Sequence, residues 1–168
     1  MKTYRAFLGL GSNMGDRHRM LQRAADAIRM LPGVRIVWYS SVYETDPFGK
    51  AGQPKFLNAV GEIETTSDPA ELLREVKGIE ARLGRISREP WGPREIDVDV
   101  LLYEGLVQND EQVKVPHPGL AERRFVLVPF REIAPDVVHP VSGLTIEDLA
   151  RRCSDEGRVV KTSYRIIP

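Results

Sequence analysis

A single cysteine, Cys153, and three histidines stand in a chain of 168 residues. One cysteine excludes an intrachain disulfide and a Cys-rich zinc site, and it suits a reducing compartment; its expected role is packing on a C-terminal helix. The histidines lack the H-E-x-x-H spacing of zinc hydrolases, and no Ser/His/Asp arrangement stands out. Long apolar runs are also missing. Ala6 to Leu10 is too short for a signal-peptide core, and nothing approaches the about 18 apolar residues of a membrane helix, so a cytoplasmic protein with no membrane partner is expected. Net charge is absent too, because 24 Lys and Arg balance 24 Asp and Glu. No overall field recruits nucleic acid, and any anion site must be local. There is no P-loop, and the start of a dinucleotide fingerprint at Gly9-Leu10-Gly11 fails at Met14, where the third glycine is required. A phosphate ligand would have to be held by side chains and metal.

The composition, 42% hydrophobic and 29% charged, is that of an ordinary globular chain, which we read as one domain over residues 1–168. Its most informative stretch runs from Trp91 to Tyr103. Trp91-Gly92-Pro93 sets a turn, and the strand that follows alternates. Ile96, Val98, Val100 and Leu102 are expected on one face; Asp97, Asp99, Leu101 and Tyr103 share the other. Two carboxylates side by side on a β-branched strand repel by about 4 kcal/mol at roughly 4 Å and an effective dielectric near 20. A shared Mg²⁺ would relieve that repulsion, since Mg²⁺ takes one or two carboxylates with waters and phosphates. A solvated edge strand, or pairing with nearby arginines, would do so as well.

The remaining segments surround this strand. Tyr4 to Leu10 reads as a buried strand ending in Gly11-Ser12-Asn13. Asp16 caps a helix with its stripe at Leu21, Ala24, Ala25, Ile28 and Leu31. Val34 to Tyr43 reads as a strand, residues 46–54 as a loop, and Phe56 to Glu64 as a further strand. Asp68-Pro69-Ala70-Glu71 supplies N-cap, N1 proline and N3 glutamate for a second helix with Leu72, Val76, Ile79 and Leu83, closed by Gly84. The order β-α-β-β-α-β predicts an α+β, ferredoxin-like fold with a mostly antiparallel sheet and both helices on one face. That topology sets the fourth strand beside the first, so Gly11-Ser12-Asn13 should meet Asp97. The tail, with an apolar run Phe125 to Phe130, a turn Arg131 to Ala134 and a helix Thr145 to Cys153, reads as an extension covering the same core.

Arg85, Arg88 and Arg94 flank the aspartates and match phosphate oxygens, as phosphoryl or pyrophosphoryl transfer requires; pairing with Glu89 and Glu95 is the plainer alternative. Phe48, Phe56, Trp91 and Phe125 could sandwich a flat heterocycle, and Asn58, an amide on the face of Phe56 and Val60, asks for a polar partner. His117 lies between two prolines in a stiff loop. A two-metal phosphohydrolase or nuclease would call for more carboxylates and a basic track. A ferredoxin-like regulatory or RNA-binding domain would expose aromatics on the sheet face.

Taken together, Leu8 to Asn13, Ser41 to Pro47, Phe56 to Ala59, Arg94 to Asp99 and Val115-Pro116-His117-Pro118 with Arg123 and Phe125 resemble the 6-hydroxymethyl-7,8-dihydropterin pyrophosphokinases of the folate pathway over nearly the whole chain. The resemblance implies transfer of the ATP β,γ-pyrophosphoryl group to the pterin hydroxymethyl oxygen, with ATP as co-substrate and two Mg²⁺ ions held by Asp97 and Asp99. It implies that Thr45, Asp46 and Phe48 contact the pterin, that Asn58 reads its edge, and that Phe56, Trp91 and Phe125 flank it. Arg85 and Arg94 would act on the transferring phosphates. Glu80, Arg88, Trp91, His117 and Arg123 would line the ATP side, with Val100 and Val113 near the adenine. The loop after Gly84 is one residue shorter than the family pattern, leaving Ser87 or Arg88 as the second loop arginine's counterpart. Gln112 and Pro118 replace a family arginine and an aromatic. The partners expected are these small molecules alone, and the chain is expected to act as a monomer.

Overall fold

The computed structural model describes residues 1–168. Its two long helices begin where the capping residues dictate. The Asp16 side chain accepts the Arg19 N–H and starts α1 (Arg17–Arg29). At α2 (Pro69–Arg82) Asp68 and Glu71 exchange side-chain-to-backbone hydrogen bonds in a capping box. Both helices lay an apolar stripe on a sheet whose main strands are β1 (Tyr4–Ser12), β2 (Val34–Tyr39), β3 (Tyr43–Thr45), β4 (Phe56–Thr65) and β5 (Asp97–Tyr103). The order is β5-β1-β4, with β2 and β3 both pairing with β4, and every pairing is antiparallel. The expected ferredoxin-like arrangement is therefore present.

Several local expectations are corrected. The strand expected over Val34 to Tyr43 is interrupted. Tyr39 pairs with Gly61 and Tyr43 with Asn58, so Ser40, Ser41 and Val42 oppose only two residues. The Ser41 N–H leaves the ladder for Glu132 Oε2 at 2.8 Å. The alternation of β5 also breaks. Phe7 pairs with Leu102 but Leu8 with Val100, so Leu101 is an extra residue, a bulge. Ile96, Val98, Val100 and Tyr103 face the α1–α2 core, whereas both Leu101 and Leu102 face the opposite side. Leu102 and Tyr103 thus exchange the faces expected of them.

The tail builds a third layer with a core of its own. The run expected as an apolar segment and a turn is one helix, α3 (Arg124–Ile133), with Pro129 inside it, and it packs with α4 (Ile146–Arg152) on the face away from α1 and α2. Phe130 meets Phe7 at 4.6 Å between ring centroids; burying such a side chain contributes roughly 1.5–3 kcal/mol. Between β5 and α3 a small hairpin forms from β6 (Gln108–Asn109) and β7 (Lys114–Val115). The last strand, β8 (Val159–Lys161), pairs with β3, and Arg158 exchanges hydrogen bonds with Asp46: Asp46 N–H to the Arg158 carbonyl at 3.1 Å, Arg158 N–H to Asp46 Oδ2 at 3.0 Å.

Candidate active site

Strand ends converge at one corner of the sheet. Gly11 pairs with Asp97 on one side and with Asn58 on the other, and Thr45 pairs with Phe56. Asn13, buried just past β1, fastens both neighbouring loops. Its Oδ1 accepts the Arg94 N–H at 2.9 Å, and its Nδ2 donates to Gln53 Oε1 and the Pro54 carbonyl at 2.9 and 3.0 Å. Gln53 in turn donates to the Trp91 carbonyl at 2.6 Å. Trp91 has a left-handed backbone, φ 66°, rare outside glycine. Its indole lies so close over Gly49 that a Cβ there would come within 2.8 Å of the ring. The two loops are thereby held against each other.

The two aspartates differ in their surroundings. Asp97 accepts from Arg85 Nη1 at 2.9 Å and Arg94 Nη1 at 3.0 Å. Burial alone would raise its pKa, but Lys77, Arg94 and Arg85 together hold it below the usual carboxylate range. Asp99 has Lys77 Nζ as its nearest cation, at 3.6 Å. Burial, then the charge of Asp97, pushes its pKa up to about 6. Behind both stands Glu80, 4% exposed. Its carboxylate accepts from the Val98 N–H at 2.7 Å, Lys77 Nζ at 2.9 Å and Arg85 Nη1 at 2.8 Å. Glu80, expected on the ATP side, is buried behind the aspartates and binds Lys77, Arg85 and the Val98 N–H.

Every residue expected around a flat ring lines one pocket of about 490 Å³, its open mouth included: Thr45, Asp46, Phe48, Phe56, Asn58, Trp91 and Phe125, joined by Gly11, Arg94, Asp97 and Arg123. Asn58 finds its polar partner, donating to Thr45 Oγ1 at 2.8 Å. Phe48 lies against Trp91 at 5.5 Å and Phe125 at 5.8 Å, and the Arg123 guanidinium is 5.4–5.9 Å from these three rings, within cation–π range.

A basic groove of about 660 Å³ adjoins it, lined by Arg85, Arg88, Trp91, Arg94 and Arg123 among others. Arg88 lines this groove and Ser87 does not, although Arg88 also pairs with Glu95 at 2.6 Å, as the plainer alternative held. His117 is turned into the protein, with Nδ1 accepting the Gly119 N–H at 3.0 Å. Burial and Arg123 lower its pKa to about 4, so it is neutral at physiological pH. Val100 and Val113, expected near adenine, are 4% and 3% exposed and belong to the α1–α2 core. Sequence reasoning missed Lys77 and Gln53. The available signal for Lys77 was its i, i+3 spacing to Glu80, a glutamate beside the apolar stripe of α2 that needs a cation to be buried.

The donor set suits a hard divalent cation. Asp97 and Asp99 offer carboxylate oxygens only, and neither Asp99 oxygen accepts a hydrogen bond from its nearest cation, Lys77, 3.6 Å away. No third carboxylate, histidine or cysteine joins them into a closed metal cage. Such a pair fits a hard divalent cation whose remaining ligands are waters and phosphates.

Residues 7–135 match the model of the 7,8-dihydro-6-hydroxymethylpterin-pyrophosphokinase family. The chain is 46% identical to a 2-amino-4-hydroxy-6-hydroxymethyldihydropteridine pyrophosphokinase of Methylorubrum extorquens, covering 91% of this chain and 96% of that protein. It is 39% identical to a folic acid synthesis protein of Schizosaccharomyces pombe, covering 95% of this chain and 22% of that larger protein. The fold matches the Plasmodium falciparum HPPK-DHPS crystal structure with pterin and p-hydroxybenzoate at a TM-score of 0.71 and 17% identity, over 90% of this chain and 42% of that one. By the family model and its curated relatives, this chain belongs to the 7,8-dihydro-6-hydroxymethylpterin-pyrophosphokinase family.

Proposed function

We propose that this corner transfers the pyrophosphoryl group of ATP to the hydroxymethyl group of 6-hydroxymethyl-7,8-dihydropterin, in folate synthesis. The observation that carries the reading is a shared wall. Trp91, Arg94 and Arg123 line both the aromatic pocket and the basic groove, so a flat acceptor in one meets phosphates in the other. In the balanced reaction the hydroxymethyl oxygen bonds to the β-phosphorus, the bond from the β-phosphorus to the α,β-bridging oxygen breaks, AMP leaves with that oxygen, and the hydroxyl proton passes to water.

The residues have separable tasks in this reading. Asn58, oriented by Thr45, reads the pterin edge, and Phe56 and Phe125 face its rings. Arg85 and Arg94 swing from Asp97 onto the transferring phosphates, where fixed cations spread the charge that develops. Arg88 and Arg123 steady the nucleotide. Asp97 and Asp99 would hold two Mg²⁺ ions, which when bound neutralise phosphate charge. We assign the activity to residues 1–168 acting as one unit and as a monomer in the cytoplasm; in keeping with this, no helix is long and apolar enough to cross a membrane.

Incubation with ATP, Mg²⁺ and the hydroxymethyl dihydropterin is expected to yield AMP only when the pterin is present. Release of inorganic phosphate, or AMP without pterin, would overturn the proposal. Gly11→Ala probes the acceptor side, because a Cβ there would lie 2.4 Å from Asn58 Oδ1 and must displace that amide. The expected result is a KM for the pterin raised about tenfold or more, the worth of one or two lost hydrogen bonds, with the KM for ATP little changed. Parallel steady-state titrations of the two substrates decide it.

A further inference from the structure

We infer that Lys77 is a built-in counter-ion for the Asp97–Asp99 pair, a positioning residue that stands in the metal's place in the metal-free protein and yields it when nucleotide and metal arrive together. The inference rests on the metal assignment of the pair made above.

The geometry is that of a placeholder. Lys77 Nζ lies 3.8 Å from Asp97 Oδ1 and 3.6 Å from Asp99 Oδ1, within reach of one oxygen of each carboxylate. Neither distance is a hydrogen bond; the two short contacts, both 2.9 Å, run to Glu80 Oε1 and to the Val98 carbonyl. The ammonium is thus tethered from behind and holds the aspartates by charge alone. Three carboxylates, those of Glu80, Asp97 and Asp99, lie within 4 Å of it. Its side chain is 40% exposed, which leaves it room to move.

Two consequences follow from the charges. A divalent ion entering alone must displace a tethered cation and lie beside it, so free metal binds the aspartate pair weakly. A nucleotide changes the balance, since its phosphates supply oxygen ligands for the metal and a new anionic partner for the displaced ammonium. Lys77 thereby favours loading of the metal as its nucleotide complex.

Mn²⁺ binding to the whole protein, followed by electron paramagnetic resonance at about pH 8, where protons compete least for the carboxylates, tests this without turnover. Without nucleotide, Lys77→Met is expected to bind Mn²⁺ about tenfold or more tightly than wild type, and Lys77→Arg to restore the weak binding. With α,β-methylene ATP, whose bridging carbon resists the transfer, wild type should bind Mn²⁺ tightly as well. Lys77→Gln, which keeps a donor for the Val98 carbonyl, carries the same comparison should the methionine variant fail to fold. Equal nucleotide-free affinities in wild type and the neutral variants would overturn the inference while leaving the metal assignment intact. Failure of Mn²⁺ to bind any of the proteins, with or without the analogue, would overturn the metal assignment and the inference with it.

Discussion

Asp97→Asn and Asp99→Asn are each expected to lower turnover by about a thousandfold or more, since in the proposed reaction either removes a charge that holds metal against the phosphates. Yet they should move the stability of the metal-free protein in opposite directions. Asp99 carries a folded-state pKa of about 6, above the ordinary carboxylate value, because it is partly withdrawn from water and faces Asp97. The folded state therefore holds its proton more tightly than the unfolded state. Asp99 lowers stability as pH rises from about 4 to about 6, and its full cost persists above that range. Replacing it by asparagine should gain about 1 to 2 kcal/mol at neutral pH and nothing near pH 4. Asp97 has the reverse sign. Its pKa is held down by Lys77, Arg94 and Arg85 against the effect of burial, so it stabilises at neutral pH and loses that contribution as pH falls through its folded-state value. Its asparagine variant leaves Arg85 and Arg94 without their carboxylate and should lose about 1 to 3 kcal/mol at neutral pH. Thermal melts in chelator between about pH 4 and pH 8 separate the two. Shifts of the same sign for both variants at neutral pH would contradict the account.

Glu80→Ala is expected to be the most destabilising single change at the site, by about 3 to 5 kcal/mol. β5 is an outer strand of the sheet, with β1 as its one strand neighbour. Its open side at Val98 is closed from α2: Glu80 accepts the Val98 N–H, and Lys77 donates to the Val98 carbonyl. A helix thus supplies with two charged side chains the pairing that a further strand would give, and the strand bearing Asp97 and Asp99 has no loose edge there. Removing Glu80 orphans a buried N–H and takes from Lys77 and Arg85 one of the two carboxylates they share, leaving only Asp97 between them. Glu80→Gln keeps an acceptor for the N–H and should lose about half as much. Urea denaturation of the three proteins measures the series, and a loss under about 1 kcal/mol for the alanine variant would show that Glu80 is dispensable.

What could be read from the sequence was what is fixed locally. Asp16 and the Asp68–Glu71 box announced their helices because a cap is made by residues three apart. The adjacency of Gly11-Ser12-Asn13 to Asp97 followed from strand order alone, and the seven residues expected around the ring do line one pocket. Features set by distant partners were not legible. The extra residue at Leu101 answers to the register of β1, and Ser41 leaves its strand for Glu132, a residue of α3. Pro129 and the lack of a side-chain cap at Arg123 hid α3, which forms because Phe130, Leu127 and Val126 bury against the far face of the sheet. Glu80 was noticed, but its role was not: only the folded chain shows that its carboxylate points inward to Val98.

The pairing of β8 with β3 bears on the order in which the site is assembled. Arg158 and Asp46, which fix each other's backbone, are 112 residues apart. Contacts this distant in sequence close late, because the entropy of the intervening loop must be overcome first. On a ribosome, the strands that carry Asp97, Asp99 and Asn58 emerge well before the strand that braces Asp46. The nascent protein thus has Asp97, Asp99 and Asn58 in hand while the wall of the aromatic pocket at Asp46 still lacks the strand that braces it.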